Sequence, residues 1–301
     1  MFKYNSKHIK IVEVGPRDGL QNESKILELD DKFEYLRLLS QTGLKTIEAT
    51  SFVRGDKIPQ MADAKKLYRK INSELNESGV AFPCLVPNLR GYKDALAVGV
   101  KEISLFTATS DAFTQKNINC SVDESFKRIS DVSRQAKKDG LLIRGYISTS
   151  FGCPYAGDIG LGKLEEVIGK FLDLGAYEVS IGDTIGIAHP KQVYSYLNSL
   201  KKSFDFSKLA LHFHDTRGLA LTNVLTSLEC DINTFDSSSG GLGGCPYAKG
   251  ATGNVATEEL VYLLEKLGLE TGIDLHELSK ATSFIMNNIG RASSAKFIEN
   301  E

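Results

Sequence analysis

The sequence predicts a single (β/α)8 barrel over residues 1–301, with residues 270–301 forming a C-terminal helical extension. Three observations predict it. Short β-like runs alternate with longer amphipathic ones from end to end, which implies parallel strands joined by helices. Eight such units favour a closed barrel over an open doubly wound sheet. No Pro/Gly/Ser-rich linker divides them, and 301 residues is a common length for one large α/β barrel.

The eight β-like runs are "IKIVEV" (9–14), "KTIEAT" (45–50), "VAFPCLV" (80–86), "EISLFTA" (102–108), "LIRGYIS" (142–148), "YEVSIGD" (177–183), "LALHFH" (209–214) and "INTFDSS" (232–238). Helical patterns lie between them, such as "DKFEYLRLLSQTG" and "SFKRISDVSRQAKKDG". The first sets Phe33, Leu36 and Leu39 on one face and ends at Gly43, which reads as a cap. A further helix, "DLHELSKATSFIMNNIG" (274–290), follows the eighth unit.

Composition excludes several classes of function. With 42% hydrophobic and 25% charged residues, the chain can build a sizeable soluble core. The net charge is −2 and the basic residues are scattered, so no footprint for nucleic acid or an anionic membrane exists. Apolar stretches fall short of a membrane span. The opening "MFKYNSKHIKIVEVG" runs directly into the first strand, so no leader is expected. Five cysteines, Cys84, Cys120, Cys153, Cys230 and Cys245, are an odd count that points to reduced thiols and a cytoplasmic setting.

Chemistry in such a barrel sits at the C-terminal ends of the strands. Strand 1 runs into "GPRDGLQNE", presenting Arg17 and Asp18, and strand 2 carries Glu48. Strand 6 ends at Asp183, and strand 7 ends "HFHD" with His212 and His214. Strand 8 empties into "GGLGGCPYAKGATGN", which holds Cys245 and closes on Asn254, where the eighth helix is expected to begin.

Side chains two apart on a strand point the same way, so His212 and His214 can face one metal ion. The competing reading of an isolated pair is two satisfied core histidines. With Asp18 and an amide oxygen nearby, the donor set suits Mg²⁺ or Mn²⁺, and the lack of a second cysteine near Cys245 argues against structural zinc. Arg17, set in a turn bracketed by Pro16 and Gly19, can stabilise charge developing on an oxygen. Cys245 reads either as a small buried hydrophobe or as a thiol on a glycine-hinged loop that exchanges a proton with carbon. "GDIGLGKL" (157–164) fails as a phosphate loop because Leu164 replaces the Mg²⁺-binding hydroxyl residue. Pro246 likewise breaks the dinucleotide pattern, and Cys153, in the other "GCPY", reads as structural.

Taken together, "VEVGPRDGLQNE", "IEATSFV", "FTQKNINCS", "GDTIGI", "HFHDT" and "GGLGGCPYAKGATGN" resemble the 3-hydroxy-3-methylglutaryl-CoA (HMG-CoA) lyase family, from about residue 8 to beyond 290. The resemblance implies retro-Claisen cleavage of (S)-HMG-CoA to acetyl-CoA and acetoacetate by a cytoplasmic enzyme that needs a divalent metal, Mg²⁺ or Mn²⁺. It implies Asp18, His212, His214 and Asn254 as metal ligands, and Arg17, Glu48, Asp183, His212 and Cys245 as catalytic positions. Arg17, Gln21 and Arg291 become substrate contacts, the partner is an acyl-CoA, and a homodimer is the family's expected assembly. Two departures stand out. Animal members read "HDTYGQ" where this chain has "HDTRGL", and "NIGRASSAK" places Gly290 and Ala292 where they carry the Asn and Lys that contact coenzyme A. The alternatives are a lyase for another 3-hydroxyacyl-CoA or hydroxy acid, and a barrel retained only for binding.

Overall fold

The computed structural model describes residues 4, 6–244 and 253–297. Its described strands form one parallel sheet in the order β2-β1-β9-β8-β7-β6-β5-β4-β3. These are β1 (Lys10–Glu13), β2 (Thr46–Ile47), β3 (Thr50–Ser51), β4 (Cys84–Leu85), β5 (Glu102–Ala108), β6 (Leu142–Ser148), β7 (Glu178–Asp183), β8 (Leu209–Phe213) and β9 (Thr234–Ser237). The second expected strand is broken rather than continuous. Its first half, β2, pairs with β1, and its second half, β3, pairs with β4. The exchange happens at Glu48, whose N–H donates to the Glu13 carbonyl, while the N–H of Ala49 donates to Pro83 on the other side. One short run thus touches both ends of the ladder and closes the ring. The third run is also shorter than expected: only Cys84–Leu85 is regular, because Pro83 has no N–H for a ladder.

The helices that wrap this barrel are α1 (Leu29–Ser40), α2 (Ala64–Glu74), α3 (Leu89–Leu96), α4 (Asp111–Ile118), α5 (Val122–Lys138), α6 (Leu161–Asp173), α7 (Pro190–Leu200), α8 (Ala220–Leu228) and α9 (Thr257–Lys266). In α1, Phe33, Leu36 and Leu39 are all buried, as their spacing predicts. Its C-cap is Gln41, and Gly43 lies two residues beyond at φ +95°. A side chain at Gly43 would collide with the Gly272 carbonyl, so the glycine serves close approach as well as the turn. The fourth unit contains two helices where one was expected, and α5 begins with a capping box between Ser121 and Glu124. The additional helix α10 (Leu275–Ile289) is capped by Asp274 and stopped by Gly290 at φ +80°.

Barrel interiors are usually filled by branched apolar residues. This one carries a chain of charges instead. Lys10 Nζ lies 3.0 Å from Glu178, Glu178 accepts from Arg144 Nε at 2.7 Å, and Arg144 Nη2 donates to Asp236 at 2.7 Å. The Arg144 side chain is completely buried, and both carboxylates hold its guanidinium charged in spite of that. Apolar residues on the outer faces of the same strands, such as Val179 and Ile181, pack into the core under the helices.

A second buried carboxylate ties the top of the barrel together. Glu13 accepts from the N–H of Gly15 at 2.8 Å, from the N–H of Ser239 at 2.9 Å and from Thr257 Oγ1 at 2.7 Å. It therefore joins the turn after β1, the segment after β9 and the start of α9. Glu258 plays a parallel part, accepting from the N–H of Gly240 at 2.9 Å and from the Thr282 hydroxyl of α10. Burial pushes Glu13 up to about 7, although its three donors favour the charged form.

Two outcomes are expected from this architecture. Gly145 in β6 lies beneath Phe171 of α6, where an added Cβ would come within 2.8 Å of the ring. Gly145→Ala should lower stability by about 1–3 kcal/mol in denaturant titration through overpacking, and adding Phe171→Leu should recover most of the loss. Because the folded pKa of Glu13 lies above its ordinary value, its stabilising contribution is full below pH 4.5 and lost as pH rises to about 7. Stability measured across that window should therefore move in favour of Glu13→Gln relative to wild type as pH rises.

Candidate active site

The turn after β1, residues Gly15–Gly19, is a single wide helical turn that follows the strand without a linker. It sets Arg17 and Asp18 at the barrel mouth. Arg17 is buried, its Nε donating to Glu48 Oε2 at 2.6 Å and its Nη1 to Asp18 Oδ1 at 2.6 Å. Its guanidinium also lies over the Tyr146 ring, 5.4 Å from the centroid. Nη2 has no hydrogen-bond partner among the described residues, so one face of the guanidinium has donors to spare. Glu48 Oε1 is likewise buried without a partner among them.

His212 and His214 point the same way, as strand geometry predicts, with Nε2 atoms 3.1 Å apart. His214 lies one residue past β8 and is bridged to Asn254 in antiparallel fashion. Asn254 is therefore not at the start of the eighth helix: α9 begins three residues later, and Asn254 is extended, held by the N–H of Val255 donating to Phe213. Its Nδ2 donates to Asp18 Oδ2 and to the Leu242 carbonyl, both at 3.0 Å. The neighbouring glycine is obligatory in space, since a Cβ at Gly253 would lie 2.2 Å from the Gly243 carbonyl oxygen.

These four side chains fit a divalent cation. One donor atom from each of Asp18, His212 and His214 lies within 4.8 Å of the others. Two imidazole nitrogens face each other at hydrogen-bond distance, and the Asn254 amide oxygen is buried with no partner among the described residues. A cation shared by a carboxylate, two imidazoles and an amide oxygen would relieve both conditions. The charge states of Asp18 and His214 agree. Burial alone would raise Asp18, but Arg17 and the two histidines hold it down at about 2. Burial and the neighbouring His212 push His214 down to about 3, leaving a neutral ligand. Burial also works against charge on His212, yet its contact with Asp236 raises it overall.

Asp183 ends β7 in register with Phe213, next to His212. Its oxygens accept from the N–H groups of Ile187 at 3.0 Å and Ala188 at 3.1 Å. Burial raises it to about 6 despite those donors. Gln21 follows in the same helical turn as Asp18 and is partly buried. Arg291 is bound to Glu23, its Nη2 2.8 Å from Oε1, and so links the end of α10 to the β1–α1 loop. Cys245 lies outside the described residues. Cys153 is buried, with Sγ 3.1 Å from Ser110 Oγ, in keeping with a structural role. Asp236, Arg144 and Glu13 went unremarked in the sequence. Two of them sit in the middle of β-like runs, and the only available signal was a charge at an inward position of a strand.

The HMGL-like family profile matches residues 8–285. The chain is 48% identical over 290 residues to the Rattus norvegicus protein named 3-hydroxy-3-methylglutaryl-CoA lyase, cytoplasmic, a match covering 96% of this chain and 84% of that one. It is 47% identical to the mitochondrial hydroxymethylglutaryl-CoA lyase of Gallus gallus, covering 96% of both. The crystal structure of hydroxymethylglutaryl-CoA lyase from Pseudomonas aeruginosa superposes with a TM-score of 0.93 at 44% identity, covering 97% of this chain and 96% of that one. Sequence and fold therefore converge, and the chain belongs to the HMGL-like family.

Proposed function

We propose that this protein is a hydroxymethylglutaryl-CoA lyase, cleaving (S)-3-hydroxy-3-methylglutaryl-CoA to acetyl-CoA and acetoacetate with Mg²⁺ or Mn²⁺ as cofactor. The observation that carries this reading is the convergence of Asp18, His212, His214 and Asn254 beside a buried arginine with uncommitted donors. A divalent cation held by Asp18, His212, His214 and Asn254 would supply Lewis acidity to the substrate.

The chain's own residues divide the remaining work. Cleavage of the C2–C3 bond requires loss of the C3 hydroxyl proton, collapse to a ketone, and stabilisation and protonation of the thioester enolate. Arg17 meets the thioester oxygen through Nη2, where negative charge gathers as the bond breaks. Glu48 and Asp18 fix the guanidinium by its other two nitrogens, so it is pre-aimed and pays little reorganisation. Asp183, raised to about 6, takes the hydroxyl proton, since a base of that strength accepts a proton near neutrality and releases it again. Cys245 returns a proton to the enolate carbon, completing acetyl-CoA. Arg291 acts through its tie to Glu23, holding α10 against the loop that bears Arg17. The described cysteines, Cys84, Cys120, Cys153 and Cys230, are free and buried, which suits the reducing cytoplasm.

Purified protein should form acetoacetate from HMG-CoA when Mg²⁺ or Mn²⁺ is present and none after chelation, with recovery on adding metal back. Failure to form acetoacetate in the presence of either ion would overturn the assignment. Cys245→Ala should lower kcat by at least about 100-fold, the scale of a lost general acid, while Mn²⁺ affinity stays at the wild-type value. A variant with unchanged turnover would remove the thiol from the mechanism.

A further inference from the structure

We propose that Asp236 is a positioning residue for the metal site, holding His212 with its proton on Nδ1 so that Nε2 presents its lone pair to the cation. The inference rests on the metal site proposed above and names a part of it that lies one contact deeper in the barrel. Asp236 of β9 and His212 of β8 are register partners, so their side chains project on the same side of the sheet. Nδ1 of His212 lies 3.3 Å from Asp236 Oδ2.

The other contacts of the carboxylate decide which atom carries the proton. Asp236 accepts from Arg144 Nη2 at 2.7 Å, from Arg144 Nη1 at 3.3 Å and from Ser180 Oγ at 2.6 Å. A guanidinium surrounding both oxygens keeps the group an ionised acceptor. A lone pair on Nδ1 would face that negative oxygen, whereas an N–H there completes a hydrogen bond. Nδ1 is therefore the donor, and the neutral ring keeps its lone pair on Nε2, the atom that meets His214 Nε2.

The support behind Asp236 is rigid. Arg144 is locked from the other side by Glu178, and Glu178 by Lys10, so the carboxylate cannot swing away without stranding a fully buried guanidinium. His214 has no such partner: its Nδ1 is buried without one among the described residues. The two histidine ligands are thus unequal, one oriented by a carboxylate and the other by the main-chain bridge to Asn254. Asp236 is absent from the group of side chains whose donor atoms converge, so it acts through His212 rather than on the ion.

The test uses the full-length chain and Mn²⁺ itself, titrated by electron paramagnetic resonance with no substrate present. Asp236→Asn should raise the Mn²⁺ dissociation constant about 10–100-fold, the range for loss of such a partner. Ser180→Ala, which leaves the His212 contact in place, should change it by less than about threefold. A role confined to neutralising Arg144 would lower thermal stability and leave Mn²⁺ affinity alone. Folded Asp236→Asn with wild-type Mn²⁺ affinity would overturn the proposal. A second measurement needs no substitution in the network. Long-range ¹H–¹⁵N spectra of histidine-labelled, metal-free wild type in alkaline buffer should show His212 protonated on Nδ1, the signal assigned by its loss in His212→Gln. A proton on Nε2 would also overturn the proposal. Wild type that binds no Mn²⁺ at all would instead overturn the metal site, which is a different failure from unchanged binding in Asp236→Asn.

Discussion

A completely buried guanidinium at the centre of the barrel is the constraint on which the rest depends. Arg144 has no access to water, so its charge must be met by carboxylates within the lumen, and Glu178 and Asp236 meet it from adjoining positions. Leaving such a charge unpaired costs about 3–5 kcal/mol, a large share of the stability of an ordinary domain. The pairing therefore fixes the relative heights of β6, β7 and β9, which carry these three residues. It also fixes β8, because Asp236 reaches His212. Register in this barrel is set by electrostatics in the lumen as well as by apolar packing outside it.

That arrangement separates two tasks that most barrels combine. The apolar residues of the strands face outward and bind the helices, and the inward positions carry polar groups that increase in functional character toward the mouth. Lys10 and Glu178 lie deepest, and Arg144 joins them to the level above through Asp236. Asp236 and Ser180 form the next level, and His212, Asp18 and Arg17 form the open end. The side chains at the mouth are thereby supported from beneath by a buried hydrogen-bonded network, which holds His212 in place.

The mouth is also held from the side. Glu13 and Glu258 accept hydrogen bonds from the main chain of residues 239–240, on the segment that leads from β9 toward Asn254. Ser294, beyond α10, donates its N–H to the Gly240 carbonyl at 3.1 Å. The C-terminal helix is thus not an ornament on the barrel: it braces the segment from which Asn254 reaches Asp18. The helix itself was readable in sequence, but its purpose was not.

Much of the fold and most of the candidate site were legible because they depend on local periodicity and on the ends of elements. Alternating β-like and amphipathic runs implied parallel strands, and parallel strands implied which ends carry the chemistry. Arg17, Asp18, Glu48, Asp183, His212 and His214 follow from that rule alone. The break in the second strand, the extended conformation at Asn254 and the commitment of Arg291 to Glu23 were not legible. Each is decided by which distant segment a residue meets: β1 and β4 competing for one run, Phe213 accepting from Val255, a loop carboxylate reaching a helix end. The carboxylates Glu13 and Asp236 belong with these, since their roles depend on burial and on partners far along the chain, Ser239 and Thr257 for one and Arg144 for the other. The sequence by itself determined which residue types stand at the barrel mouth; only the tertiary structure decided which of them are joined through the interior, because hydrogen bonds and charge pairs act across space rather than along the chain.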